Sequence, residues 1–234
     1  MREVYENPFG DDEGAAEDLE LSIQRVAVAD LGDGSFACIL HTSRGELHGR
    51  LHPCEGETGA VVMVSGATGG LDGPADAIYD RLGRALVERG VTTLRLHYRL
   101  PGQFEECVLD VLGGVSFLRG IGADRVALVG HSFGGAVVIK AAEISPAVAA
   151  VAALSSQLYG TRGVASIAPR PLLLVHGMED QVLEATASEV LYNEAQEPKR
   201  LVLYAEAGHS LIQARDQLYD LLVEWIPQQV RGAA

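Results

Sequence analysis

Short apolar runs alternate with segments of helical periodicity from about residue 60 to the end of the chain, and this alternation restricts the fold more than any other feature. Apolar side chains recur at helical spacing in residues 74–89 and 104–118, and residues 184–195 and 210–226 are also predicted to be helical. The apolar runs, which are the predicted strands, fall within residues 60–70, 92–98, 126–130, 148–154, 171–180 and 201–209. Strands that alternate with helices predict an α/β fold with a mostly parallel sheet covered on both faces.

The part of the chain before residue 60 has a different pattern. Residues 22–52 are predicted to form two or three antiparallel strands that lead into the sheet. Residues 1–20 carry eight acidic side chains and one basic side chain, Arg2. Their net charge of -7 is half of the net charge of the whole chain, -14. We therefore expect residues 1–20 to form an acidic, loosely attached arm and residues 21–234 to form a single domain. Such an arm is typical of a solubility tail, and a contact with a partner or a second copy of the chain is the alternative.

The strand predicted near residue 126 ends in Gly130-His131-Ser132-Phe133-Gly134, which has the pattern G-x-S-x-G. A helix-forming segment follows, so the serine lies at a sharp turn between a strand and a helix. Glycine on either side of the serine is needed because such a turn crowds its neighbours. The context predicts that Ser132 is a nucleophile.

Two further predicted strands end in residues that a serine nucleophile requires. Residues 171–180 end in His-Gly-Met-Glu-Asp, and residues 201–209 end in Ala-Gly-His. Carboxyl ends of parallel strands lie at one edge of a sheet, where sites form. The sequence thus places Ser132, Asp180 and His209 at the same edge.

These three motifs, taken in order and spacing, resemble the α/β-hydrolase superfamily over about residues 58–226. The chain is most similar to small members without a lid, such as the dienelactone hydrolases and short-chain esterases. The resemblance implies a three-layer α/β-hydrolase fold, with a mostly parallel central sheet, helices on both faces and no cap domain. Only about residues 155–170 separate the predicted strand at 148–154 from the predicted strand that leads to Asp180. This leaves room for a loop and not for a lid.

By the same resemblance, His209 takes the proton from Ser132 and later gives it to the leaving group, while Asp180 fixes the imidazole tautomer. Glu179 is the rival acid, although it lies one residue early for the family pattern. His131 is expected to point away from the hydroxyl, and His176 is expected to brace the acid loop. The remaining histidines are read as ordinary packed or solvated side chains: His41, His48, His52 and His97.

The resemblance also implies two backbone N–H groups that bind the oxyanion. Phe133 supplies one, and Ala67, in the glycine-rich loop after the first parallel strand, is chosen for the other. Ser65 stands where the family often has histidine, so the second donor is assigned less directly. No Gly-Lys-Ser/Thr follows this loop, which argues against phosphate binding. Tyr98 and Tyr159 are candidate residues of a shallow, open substrate pocket.

Composition bears on partners and location. The acidic balance leaves no basic patch for nucleic acid or an anionic membrane. Three scattered cysteines form neither a disulfide framework nor a metal site, and no secretory signal or membrane span is visible. We therefore expect a cytoplasmic protein that uses no metal and no organic cofactor and takes a small-molecule substrate.

The function predicted from these residues is a serine hydrolase that cleaves a carboxylic ester or thioester of a small or exposed acyl group. Three alternatives stay open: a peptidase, a perhydrolase with the same residues, and a binding scaffold whose catalysis has lapsed. A peptidase of this superfamily usually adds a further domain. A dienelactone hydrolase proper is expected to carry cysteine at the position of Ser132, so lactone hydrolysis of that type is not expected.

Overall fold

The computed structural model describes residues 20–231. The predicted acidic arm, residues 1–20, therefore lies outside the described residues apart from Glu20, and its role stays a prediction.

A nine-stranded sheet runs through the described part of the chain, in the order β1-β2-β3-β5-β4-β6-β7-β8-β9. The first three strands and the β3–β5 contact are antiparallel, and all the remaining neighbours are parallel. The predicted mostly parallel sheet and the predicted antiparallel strands before it are both confirmed. The strands are β1 (Ile23–Asp30), β2 (Phe36–Thr42), β3 (Gly45–His52), β4 (Gly59–Val64), β5 (Val91–His97), β6 (Arg125–His131), β7 (Val148–Leu154), β8 (Leu172–Gly177) and β9 (Lys199–Tyr204).

Five α-helices cover the two faces of the sheet within residues 20–231. They are α1 (Pro74–Val87), α2 (Phe104–Gly120), α3 (Phe133–Ile144), α4 (Thr186–Glu194) and α5 (Arg215–Val230). Buried side chains of α2, α3 and α4 form one core, and those of α1 and α5 form a second core. Because side chains alternate along a strand, Val62 belongs to the first core and Met63 to the second. The predicted three-layer arrangement is confirmed.

The helix predicted over residues 74–89 differs at its start. Ala75, Asp76 and Ala77 have positive φ angles of 51°, 61° and 58°, so the right-handed helix begins only at Ile78. Left-handed conformations cost roughly 1–2 kcal/mol for each residue other than glycine. The segment is held by hydrogen bonds from Ala75 N–H to the Ser210 carbonyl, at 2.8 Å, and from Tyr79 N–H to the Asp72 carbonyl, at 3.1 Å.

The connection between β7 and β8 is short, as predicted. Apart from one 3₁₀ turn at Val164–Ile167, it contains no regular structure, so no cap domain lies between these strands. None of the helices in the described range has the length and apolar character that crossing a membrane requires.

Candidate active site

Ser132 lies between β6 and α3, in a backbone conformation that non-glycine residues rarely adopt. Its φ and ψ angles are 58° and -121°. The turn is tight because the backbone of its neighbours is closely packed: a Cβ atom added to Gly130 would lie 2.0 Å from the Gly134 carbonyl oxygen. One added to Gly134 would lie 2.2 Å from the Ser65 carbonyl oxygen. Glycine is therefore required at both positions, as the motif predicts.

The hydroxyl of Ser132 faces a histidine and, beyond it, a carboxylate. Ser132 Oγ is 3.0 Å from His209 Nε2, and His209 Nδ1 is 2.7 Å from Asp180 Oδ2. The carboxylate accepts the proton on Nδ1, so Nε2 of the neutral ring is the acceptor for the serine O–H. Ser132 and Asp180 lie 77 and 29 positions before His209 in the chain, and the three residues meet at the carboxyl edge of the sheet.

Asp180 is held by four hydrogen bonds. Its Oδ1 accepts from Val182 N–H at 2.8 Å and Leu183 N–H at 2.9 Å, and its Oδ2 accepts from His209 and from His176. Burial raises the pKa of Asp180, but the hydrogen bonds from Leu183, His209 and Val182 outweigh burial, so the net pKa lies below its ordinary value. The carboxylate is therefore ionised at neutral pH. Glu179 is exposed, and Asp180 is the acid that contacts His209.

His176 contacts the acid loop, as predicted. This fully buried ring places Nε2 at 3.1 Å from Asp180 Oδ2 and 3.0 Å from the Leu183 carbonyl oxygen. Both partners are acceptors, so Nε2 carries the proton. Nδ1 then accepts from the Ser188 hydroxyl at 2.7 Å. The ring thus donates to the carboxylate that pairs with His209.

His131 connects the turn at Ser132 to the loop that carries His209. Its Nε2 donates to the His209 carbonyl oxygen at 2.9 Å, and the two rings are 4.9 Å apart. Burial lowers the pKa of His131 to about 4, so the ring is neutral at physiological pH. It therefore holds the backbone of His209 without exchanging protons with the serine.

The two backbone groups chosen as oxyanion donors belong to segments that adjoin Ser132. Phe133 begins α3, where the first N–H groups have no partner within the helix. Ala67 lies in the loop Ser65–Gly73, which we call the oxyanion loop. A Cβ atom added to Gly66 would lie 3.6 Å from Ser132 Cβ, so this loop passes directly over the serine.

A cleft of about 420 Å³ opens beside these groups. Most of its walls come from the oxyanion loop together with Pro74 and Ser210, and its floor includes His131, Ser132 and His209. Asp72 is the acidic side chain on its wall. The cleft is open to solvent.

The two tyrosines predicted for the pocket lie elsewhere. Tyr98 is only 1% exposed; its hydroxyl donates to the Ser65 carbonyl at 3.3 Å, and its ring packs edge-on against Phe133. It thus supports the oxyanion loop and does not line the cleft, because its side chain is buried in the core. Tyr159 is 62% exposed and packs against Phe104, which in turn contacts Phe133. Its role in binding stays a prediction.

Sequence reasoning treated His97 as an ordinary packed histidine, but the structure gives it a specific contact. His97 Nδ1 accepts a hydrogen bond from Gly70 N–H in the oxyanion loop, at 2.8 Å. Ser188 was not singled out at all, although its hydroxyl fixes His176. Neither contact has a local signal, since the partners are 27 and 12 residues apart.

Within residues 20–231 no group of three His, Cys, Asp or Glu side chains is arranged to hold a metal ion. The three cysteines are unpaired thiols, and the two buried ones, Cys38 and Cys107, have pKa values raised to about 11 and about 12 by burial.

The strand order, the turn at Ser132 and the chain of hydrogen bonds from Ser132 to Asp180 define an α/β hydrolase. Comparison with known proteins gives the family: residues 99–223 match the model of the dienelactone hydrolase family, and the chain belongs to this family. Its sequence is 32% identical to the uncharacterized protein YfhR of Escherichia coli K12, over 38% of this chain and 39% of that protein.

Solved structures share the fold at low sequence identity. A dienelactone hydrolase from Anabaena variabilis superimposes with a TM-score of 0.71 and 20% identity, covering 88% of this chain and 98% of that one. The esterase domain of a Rhodothermus marinus protein gives a TM-score of 0.66 and 22% identity, with coverage of 88% and 100%. These likenesses show the α/β-hydrolase fold over most of the chain.

Proposed function

We propose that this protein is a serine hydrolase that cleaves a carboxylic ester or thioester of a small or exposed acyl group. The observation that carries the proposal is the continuous hydrogen-bonded chain Ser132–His209–Asp180, with distances of 3.0 and 2.7 Å. Membership of a hydrolase family and a structural neighbour described as an esterase domain support ester hydrolysis as the reaction.

In the proposed reaction, Ser132 Oγ attacks the carbonyl carbon while its proton moves to His209 Nε2. The carbonyl oxygen becomes an oxyanion that accepts hydrogen bonds from the backbone N–H groups of Ala67 and Phe133. The carbon–oxygen or carbon–sulfur bond to the leaving group then breaks, and His209 returns the proton to the departing alcohol or thiol. An acyl group stays on Ser132.

Water completes the cycle. His209 takes a proton from a water molecule, which attacks the acyl carbon. The second tetrahedral intermediate then collapses to the free acid as the bond to Ser132 Oγ breaks and His209 returns the proton to that oxygen. Asp180 stabilises the imidazolium at each step by accepting from Nδ1. The open cleft beside Ser132 supports small or exposed acyl groups, because little of a long chain would be buried there.

The proposal is tested by intact-mass labelling with a small fluorophosphonate. We expect one adduct, mapped to Ser132, that is absent from Ser132→Ala and strongly reduced in His209→Ala. Ser210→Ala is the matched control, since Ser210 also lines the cleft but has no place in the reaction. A folded wild-type protein without an adduct contradicts the proposal and favours a binding scaffold.

A substrate panel then separates the reactions that share these residues. Esters and thioesters of graded acyl length, a peptide series, and an ester with added hydrogen peroxide are compared by kcat/KM. The proposal expects the first two classes to be cleaved fastest. Preferential peptide cleavage identifies a peptidase, and peracid formation faster than hydrolysis identifies a perhydrolase.

A further inference from the structure

The oxyanion loop contains four glycines among its nine residues, Ser65–Gly73. Glycine loses more conformational freedom on folding than other residues, so a loop of this composition does not hold a fixed shape by itself. A backbone donor is useful in catalysis only when it already points at the position where negative charge develops. The contacts that fix this loop therefore decide how well Ala67 serves as a donor.

One of those contacts comes from His97, the last residue of β5. Its Nδ1 accepts from Gly70 N–H at 2.8 Å. The ring also lies against the backbone of Gly69, where an added Cβ would be 2.9 Å from Nδ1 and Cε1. Gly69 N–H in turn donates to the Gly66 carbonyl at 2.9 Å, closing the turn that contains Ala67. Thus the ring contacts Gly69, which closes this turn, and Gly70, which follows it.

We propose that His97 is a positioning residue that fixes the oxyanion loop through its Nδ1, and so aims the Ala67 N–H at the oxyanion. The inference rests on the proposed function. Because Nδ1 is the acceptor, the acting form is the neutral ring with its proton on Nε2. His97 touches neither the nucleophile nor the cleft, so its effect reaches the reaction through the loop alone.

The test compares two substitutions that differ in the acceptor. His97→Asn keeps an oxygen near the position of Nδ1, and His97→Leu keeps bulk but has no acceptor. For a small neutral ester, we expect kcat of His97→Leu to fall about tenfold to a hundredfold, since losing an oxyanion donor outright costs about 100-fold to 1000-fold. KM should stay within about threefold, because the oxyanion exists only in the transition state. His97→Asn should recover most of kcat.

His48→Asn is the control, since His48 pairs with His97 across β3 and β5 but is 53% exposed and contacts Glu46 instead of the loop. It should behave as wild type. Wild-type kcat in His97→Leu overturns the inference, as does an equal loss in His97→Asn and His97→Leu, or a rise in KM at constant kcat.

Gly69→Ala provides a second route if His97→Leu does not fold. Its Cβ would displace the ring, and we expect the same fall in kcat at constant KM; unchanged kcat contradicts the inference. Wild type and Ser132→Ala are measured in the same assay. An inactive wild type refutes the proposed function itself, whereas an active wild type with insensitive His97 variants refutes only the role of His97.

Discussion

Two regions of the site are built in different ways: the turn Gly130–Gly134 around Ser132, which we call the nucleophile elbow, and the acid loop, which follows β8 and carries Asp180. Ser132 is fixed by the backbone of its immediate neighbours, which pack so closely that Gly130 and Gly134 accept no side chain. Asp180 is fixed by four hydrogen bonds, two from the backbone of its own loop and two from histidines on other elements. A region held by backbone packing has no spare contact, whereas a region held by several hydrogen bonds can lose one and keep its shape.

Removing the charge of Asp180 should have the largest effect on the reaction. Asp180→Asn keeps the shape of the side chain but no longer stabilises the His209 cation, and we expect kcat to fall about 10,000-fold, as in other triads. Steady-state kinetics on a small ester, with a melting curve to verify folding, make the measurement. Glu179→Gln is the control, and a comparable loss in that variant would show that the wrong acid had been chosen.

The second largest effect is expected from adding a methyl group to the elbow. Gly134→Ala places Cβ at 2.2 Å from the Ser65 carbonyl, so backbone has to move. We expect a loss of about 1–3 kcal/mol in the free energy of unfolding and a fall of kcat by about 100-fold, since small displacements of reacting groups cost that much. Gly120→Ala, at the end of α2 with nothing within 4 Å of the added Cβ, should leave both unchanged or raise stability slightly. Wild-type kcat in Gly134→Ala would show that the elbow tolerates movement.

The redundancy of the acid loop is tested by Ser188→Ala. The substitution leaves His176 Nδ1 buried without a donor, which should lower the free energy of unfolding by about 1–2 kcal/mol. Because three other hydrogen bonds still hold Asp180, we expect kcat to change by less than about threefold. Urea unfolding and ester kinetics measure the two effects. A loss in kcat as large as that of Asp180→Asn would show that the loop has no redundancy.

The smallest effect is expected from His131, which connects the elbow to the loop that carries His209. Its pKa is about 4 in the folded protein, below the ordinary histidine value of 6.5, so the unfolded chain binds a proton first as the pH falls. Stability contributed by this ring is complete above pH 6.5 and is lost progressively down to about pH 4. Between pH 7 and pH 6 the loss should be below about 1 kcal/mol. His131→Gln, which can still donate to the His209 carbonyl, should flatten this part of the profile in urea unfolding; an unchanged slope would refute the assignment.

His52 shares the lowered pKa of about 4, caused first by burial and then by Arg95, and it contributes to the same acid loss from a position outside the site. Neither of its buried ring nitrogens has a hydrogen-bond partner among the described residues. The free energy of unfolding of His131→Gln should therefore still fall somewhat as the pH is lowered.

The sequence predicted those features of the molecule that consecutive residues determine. Alternating apolar runs and helical periodicity are properties of consecutive residues, and they gave the sheet and the bounds of most helices within a few residues. Ser132 was identified for the same reason, since its glycines are adjacent. The start of α1 was missed because its left-handed residues, two alanines and an aspartate, carry no glycine signal; the contact with Ser210 lies far along the chain.

Contacts between distant elements were harder to predict. His97 and Tyr98 both contact the oxyanion loop, at Gly70 N–H and at the Ser65 carbonyl. The sequence indicated neither contact, because these loop residues lie 27 and 33 positions earlier in the chain. The choice between Asp180 and Glu179 came from the spacing of a known family and not from periodicity.

The short connection between β7 and β8 has a consequence for engineering. It leaves the sheet beside the elbow and returns to it within 17 residues, and the exposed Leu158 and Tyr159 lie in it. A module grafted at these two residues would start and end at the carboxyl edge of the sheet, and it would have to preserve the contact of Tyr159 with Phe104, a residue of the first core. Such a graft would add a cap to a scaffold that has none between β7 and β8, while the residues that hold Ser132, Asp180 and His209 keep their places.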